Sequence, residues 1–278
     1  MQTEREITLS DALVSATGAE VRAAIRAGHW TSPTAGLARG YVQVNLVVLP
    51  AADAADFAEF CRLNPRPCPL LEQTTPGDPQ PRRCAPGADL RTDVPRYRVF
   101  RQGVLEPTEL TDVSHFWRDD LAGFLLGCSF TFEHALASAG LPVRHVDERR
   151  NVPMYRTSQA CRPAGRFSGN LVVSMRPLRP EQVEQAIAIT SRFPTMHGAP
   201  IHVGDPGALG IANLARPEFG EPVTIHPGEV PVFWACGVTP QLALLDAKPE
   251  LAITHSPGCM FVTDWKDAEF DRGQASGA

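Results

Sequence analysis

The chain contains no apolar run that approaches the ~20 residues a membrane-spanning helix needs. One of its longest, 44–48, already includes Asn45. The first residues, Met1-Gln2-Thr3-Glu4-Arg5-Glu6, lack the basic-then-apolar order of a secretory signal. No CxxC pair exists, and seven cysteines cannot all pair within one chain. Free thiols in a reducing compartment fit this composition, so a cytoplasmic protein is expected. The arginines form no stripe and the net charge is −5, which gives no electrostatic reason to bind nucleic acid or an acidic membrane. A phosphate-binding loop, a GxGxxG after a strand and a GxSxG elbow are all missing. The glycines of 204–210 are interrupted by Pro206. Nothing calls for a nucleotide, flavin or haem, so no cofactor is expected.

What is present is a core-forming chain of 278 residues, 43% hydrophobic, consistent with one unit over 1–278. The patterning predicts helices over 10–27 (capped by Ser10), 51–63, 119–126, 133–139 and 180–193. It predicts strands over 41–49, 171–175, 231–236 and 251–254, and a hairpin over 97–106. Strands alternating with helices predict an α/β fold, with mixed sheets flanked by helices and two interlocked lobes around a cleft. The proline-rich 74–88, with Pro76, Pro79, Pro81 and Pro86, reads as an exposed excursion or as a boundary between lobes, placed near 74–92. The polar end, 266–278, reads as a frayed tail.

Chemistry-bearing residues gather in short glycine-bracketed clusters at 127–133, 197–205, 235–241 and 254–260. Loops of this kind carry chemistry when a rigid scaffold holds them. Cys128 and Cys236 each adjoin a glycine at the end of an apolar run. They read as packed thiols or as a proton-moving pair, and a helix starting near 129 would lower the Cys128 thiol pKa. Glu133, beside Phe130 and Phe132, reads as a desolvated general acid of raised pKa or as a first-turn helix residue. His197, His202 and His255 are acid/base or hydrogen-bonding candidates. With Asp205 they make a His/Asp set for a divalent metal, although the spacing matches no established metal signature. Arg144, Arg156 and Arg176 are carboxylate clamps or loop pins. Tyr41, Gln43 and Asn45 alternate along one strand face, as a polar pocket wall or as structural hydrogen bonders.

These segments resemble the D-glutamate cyclase family and its bacterial hydro-lyase branch. The resemblance runs through Gly40-Tyr41-Val42-Gln43-Val44-Asn45-Leu46, Cys68-Pro69-Leu70-Leu71, Asp93-Val94-Pro95-Arg96-Tyr97, Trp117-Arg118-Asp119-Asp120, Arg144-His145 and Asn151-Val152-Pro153-Met154-Tyr155-Arg156-Thr157. It continues through 172–177, 197–206, 232–241 and Ile253-Thr254-His255, and spans roughly 20–265. After Pro257-Gly258 this chain has Cys259 where the family usually has His. The resemblance implies a lyase acting on a small carboxylate-bearing substrate, with D-glutamate to 5-oxo-D-proline plus water as its named candidate. The competing class is a non-catalytic binder or carrier of a small carboxylate. A homo-oligomer is left open.

Overall fold

A computed structural model describes residues 11–273. The helix expected over 10–27 is broken: residues 11–14 form one helical turn, and α1 runs Gly18–Arg26. Thr17 restarts the helix. Its hydroxyl accepts from Glu20 N–H and the Glu20 carboxylate accepts from Thr17 N–H, a reciprocal cap. Ser10, the expected cap, lies outside the described residues.

The order continues β1 (Tyr41–Pro50), α2 (Ala51–Leu63), β2 (Leu70–Gln73), β3 (Tyr97–Arg101), β4 (Val104–Leu105), β5 (Leu121–Gly127), α3 (Phe130–Ser138), α4 (Arg144–Asp147), β6 (Met154–Ala160) and β7 (Asn170–Leu178). It closes with α5 (Pro180–Ser191), β8 (His202–Val203), β9 (Val230–Ala235), α6 (Thr239–Ala247), β10 (Leu251–His255) and β11 (Phe261–Lys266). One sheet has the order β2-β5-β1-β10-β3-β4, with β11 also on β1; the other is β6-β7-β9-β8. The α/β class holds. The sheets are not mixed, however: every pairing among the described strands is antiparallel. The helices explain this. The chain leaves the first sheet after β5 through α3 and α4, and returns after β9 through α6. These helices join different sheets and are not crossovers between parallel neighbours.

β1 is buried on both faces. Val42, Val44, Leu46 and Val48 enter one core cluster, Val47 and Leu49 another, and β5, β10 and β11 satisfy its backbone. The helix expected over 119–126 is instead strand β5. An all-apolar run has no periodicity to separate helix from strand, and pairing to β1 from Val44↔Gly127 to Pro50↔Leu121 decides it. The proline-rich 74–88 is no exposed excursion. Cys84, Ala85 and Leu90 are core residues, and the Glu72 carboxylate accepts the N–H groups of Arg83 and Cys84. The tail does not fray at 266: Asp271 takes Arg192 Nη2 at 2.8 Å, and Arg272 N–H bonds Arg192 O.

The two crossings between sheets carry two of the four polar clusters, and Asn45 of β1 touches both. Its Nδ2 donates to Gly127 O at 2.8 Å, and a Cβ on Gly237 would lie 2.1 Å from that same nitrogen. Gly237→Ala is therefore expected to lower stability by about 1–3 kcal/mol through overpacking, read as a melting temperature several degrees below wild type. An unchanged melting temperature would show that Asn45 can move aside.

Candidate active site

Behind the first crossing lies a row of buried ionic groups. Arg176 is 1% exposed, Glu133 5% and His145 1%. Arg176 comes from the C-terminal half of β7, Glu133 from the first turn of α3 and His145 from α4. The guanidinium donates through Nε and Nη2 to Glu133 Oε1, through Nη1 to Ser174 Oγ at 3.1 Å and through Nη2 to Ser129 Oγ at 3.0 Å. It lies over the rings of Phe132 and Trp234, at 5.5 and 5.3 Å from their centroids. Ser129 stands at the start of α3 without capping it; its backbone is already helical, and its hydroxyl accepts from Arg176. On the other side His145 Nε2 is 3.2 Å from Glu133 Oε1, short of hydrogen-bond alignment and with no other acceptor. Its ring stacks on Phe130.

Burial alone would raise the Glu133 carboxyl. Interaction with His145 and with the Arg176 guanidinium outweighs it and holds the pKa below the ordinary glutamate value. Glu133 is thus an ionised carboxylate, not the raised-pKa acid that its aromatic neighbours suggest. Cys128 departs from expectation in the opposite sense. Burial drives its thiol far above the usual range despite a hydrogen bond from Phe130 N–H, so the helix start does not make it a thiolate. Cys236, in the same buried cluster, is pushed up to about 11 by burial, and Cys259 to about 12.

The histidine loops do not assemble a metal set. His197 Nδ1 donates to Arg66 O at 2.6 Å, and His202 Nε2 donates to Asp205 O at 2.7 Å. His255 Nδ1 accepts from Leu46 N–H at 3.1 Å, stapling β10 to β1. Among the described residues no three His, Cys, Asp or Glu side chains are grouped to hold a metal ion. His197 does lie near Arg176, whose charge adds to burial in lowering its pKa.

Burial pushes both His197 and His255 down to about 4. An unfolded chain binds these protons at about pH 6.5, whereas the folded chain resists until about pH 4. Their contribution is complete above the unfolded value and lost as pH falls towards the folded one. The urea midpoint is expected to fall steadily between those limits, with a shallower slope in His255→Gln. A flat midpoint across that window would contradict the neutral, buried assignment.

Three clefts share lining residues beside this row, and two of them include one of its members. A cleft of about 280 Å³ is lined by Tyr41, Gln43, Thr131 and Glu133. A second, of about 520 Å³, is lined by His145, Asn151, Arg149 and Arg150. A third, of about 620 Å³, is lined by Arg144, Arg179 and Glu229. Arg39 and Val146 line all three. Tyr41 and Gln43 therefore line a cleft, whereas Asn45 serves the two crossings. Gln43 Nε2 also holds the loop below, donating to Thr34 O and Leu37 O. Arg144 is paired with Glu229 at 2.6 Å, and Arg156 is exposed on β6, lining none of the three clefts. His145 was legible only as part of a motif, because nothing local in the sequence shows that Glu133 would meet it.

The family model described as D-glutamate cyclase matches residues 122–264, a span holding all but the first residue of β5 and the whole Arg176–Glu133–His145 row. The chain belongs to the D-glutamate cyclase family. A Rubrobacter xylanophilus protein named "Putative hydro-lyase" is 60% identical over 253 residues, 91% of this chain and 97% of that protein. A Stutzerimonas stutzeri protein of the same name is 57% identical over 251 residues, covering 90% and 94%. A third so named, from Natranaerobius thermophilus, is 53% identical over 251 residues, covering 90% and 96%. The resemblance read from the short motifs is thus a family relationship over most of the chain. No helix among the described residues is long and apolar enough to cross a membrane.

Proposed function

We propose that this family member is a lyase acting on a small carboxylate-bearing substrate, with D-glutamate to 5-oxo-D-proline plus water as the reaction to test first. The observation that carries this reading is the Arg176–Glu133–His145 row, which brings an imidazole backed by an ionised carboxylate to the wall of an arginine-lined cleft. The family's description and the relatives' names support the same class.

In this reading His145 is the proton carrier. It takes a proton from the substrate's α-ammonium group, freeing the nitrogen lone pair to attack the γ-carboxyl carbon. The C–N bond forms, the same proton passes to a γ-oxygen, and the C–O bond breaks as water leaves with the second nitrogen proton. Glu133 positions the imidazole and stabilises it when charged, and Arg176 holds Glu133. Cys128 and Cys236, both thiols rather than thiolates, do not suit a thiolate-pair mechanism.

The test is to incubate the purified protein with D-glutamate and, separately, with 5-oxo-D-proline, with and without divalent metal, and to follow both by chiral chromatography. Interconversion from either side is expected. No conversion under any of these conditions removes the D-glutamate reading. Thermal stabilisation by D-glutamate without turnover would favour a binding protein.

A further inference from the structure

The three arginines that stand out in the sequence are placed for other work: Arg176 holds Glu133, Arg144 holds Glu229, and Arg156 lies outside the clefts. We infer that Arg39 and Arg149 bind the two carboxylates of a short dicarboxylate in the cleft walled by His145. This rests on the reading of that cleft as the active site.

Both arginines line the cleft together with His145. Among the described residues neither guanidinium has a hydrogen bond or ion pair, whereas neighbouring Arg150 donates to Pro222 O. Cationic chemistry here falls to arginine, since only Lys248 and Lys266 among the 26 basic residues are lysines. The same wall carries three arginines against the acids Asp11 and Glu221, and Glu221 already accepts from Asn151 N–H. The cleft is therefore locally positive in a chain of net charge −5.

The side chains spring from fixed backbone. Ala38 and Arg39 donate their N–H groups to Leu13 O and Val14 O, both at 2.9 Å. Arg149 N–H bonds Val146 O, and Arg150 N–H bonds His145 O at 2.8 Å, so the turn carrying Arg149 is tied to the residue that bears the imidazole. Ala38 at φ +45° and Arg149 at φ +55° hold left-handed conformations that ordinary residues seldom adopt. Two forked cations lining one cleft together with an imidazole suit a ligand with a carboxylate at each end better than a monocarboxylate.

The probe is glutarate, which has two carboxylates and no amine and so cannot cyclise. Binding is measured by calorimetry and by thermal shift. Wild type is expected to bind glutarate at least tenfold more tightly than butyrate. Arg39→Ala and Arg149→Ala should each weaken glutarate at least tenfold while leaving the unliganded melting temperature near wild type. Arg39→Lys and Arg149→Lys, which keep a charge but lose the fork, should fall between and cover any folding failure of the alanine variants. Arg62→Ala, whose exposed side chain pairs with Glu59 on α2, should bind as wild type. Affinities of the Arg39 and Arg149 variants within twofold of wild type, or no glutarate binding to wild type, would overturn the assignment. Arginine-dependent glutarate binding without D-glutamate turnover would sustain it while removing the proposed reaction.

Discussion

Glu133→Gln is expected to destabilise the fold severely as well as stop turnover. The substitution leaves the Arg176 guanidinium, 1% exposed on β7, without its anion, and neutral Gln cannot replace it. Removing one partner of a buried ion pair costs about 3–5 kcal/mol, because the remaining charge stays desolvated. Ser129, Ser174 and the faces of Phe132 and Trp234 still touch the guanidinium, but none carries a formal charge. The melting temperature should fall by about 10 °C, taking roughly 2–4 °C per kcal/mol for a domain of this size. The double variant Glu133→Gln/Arg176→Met, which removes both charges, should recover part of the loss in urea and thermal melts. A single variant that melts within 2 °C of wild type would show that Arg176 is not dependent on Glu133.

His145→Gln should have the opposite profile. Glu133 keeps Arg176, and the glutamine amide can still offer an N–H towards Oε1, so the fold loses little. Proton transfer is lost, and a positioned general acid or base contributes about 10²–10⁴ in rate. The expected result is a fall of at least a hundredfold in D-glutamate turnover, with a melting temperature within a few degrees of wild type. A purely structural His145 would instead lower the melting temperature and leave the rate per folded molecule unchanged. The pair of variants thus separates two neighbours in one row: one holds the fold together, and the other moves the proton.

Elements with a strong local signal were legible in the sequence. The valine-rich β1, α2 between Pro50 and Asn64, and α5 opening at Pro180 all lie where composition and punctuation place them. β5 was not, because a run buried on both faces has neither a helical nor a strand period. The core role of Cys84, Ala85 and Leu90 was hidden for a related reason: prolines mark irregular backbone, but not whether that backbone is covered. Among the site candidates, Glu133 and Arg176 were visible as residues, but the direction of the Glu133 shift was not. That direction depends on two groups 12 and 43 positions away in sequence.

The sequence by itself determined the α/β class, the family, and the clustering of polar residues at glycine-flanked strand ends, because each is written in local composition and motif. Only the tertiary structure decided which of those residues face a cleft. Charges from different elements must be placed within a few ångströms before burial and Coulomb attraction can be weighed against each other. That weighing makes Glu133 an anion, Cys128 an inert thiol and His255 a strand staple, and it moves attention from Arg144, Arg156 and Arg176 to Arg39, Arg149 and His145.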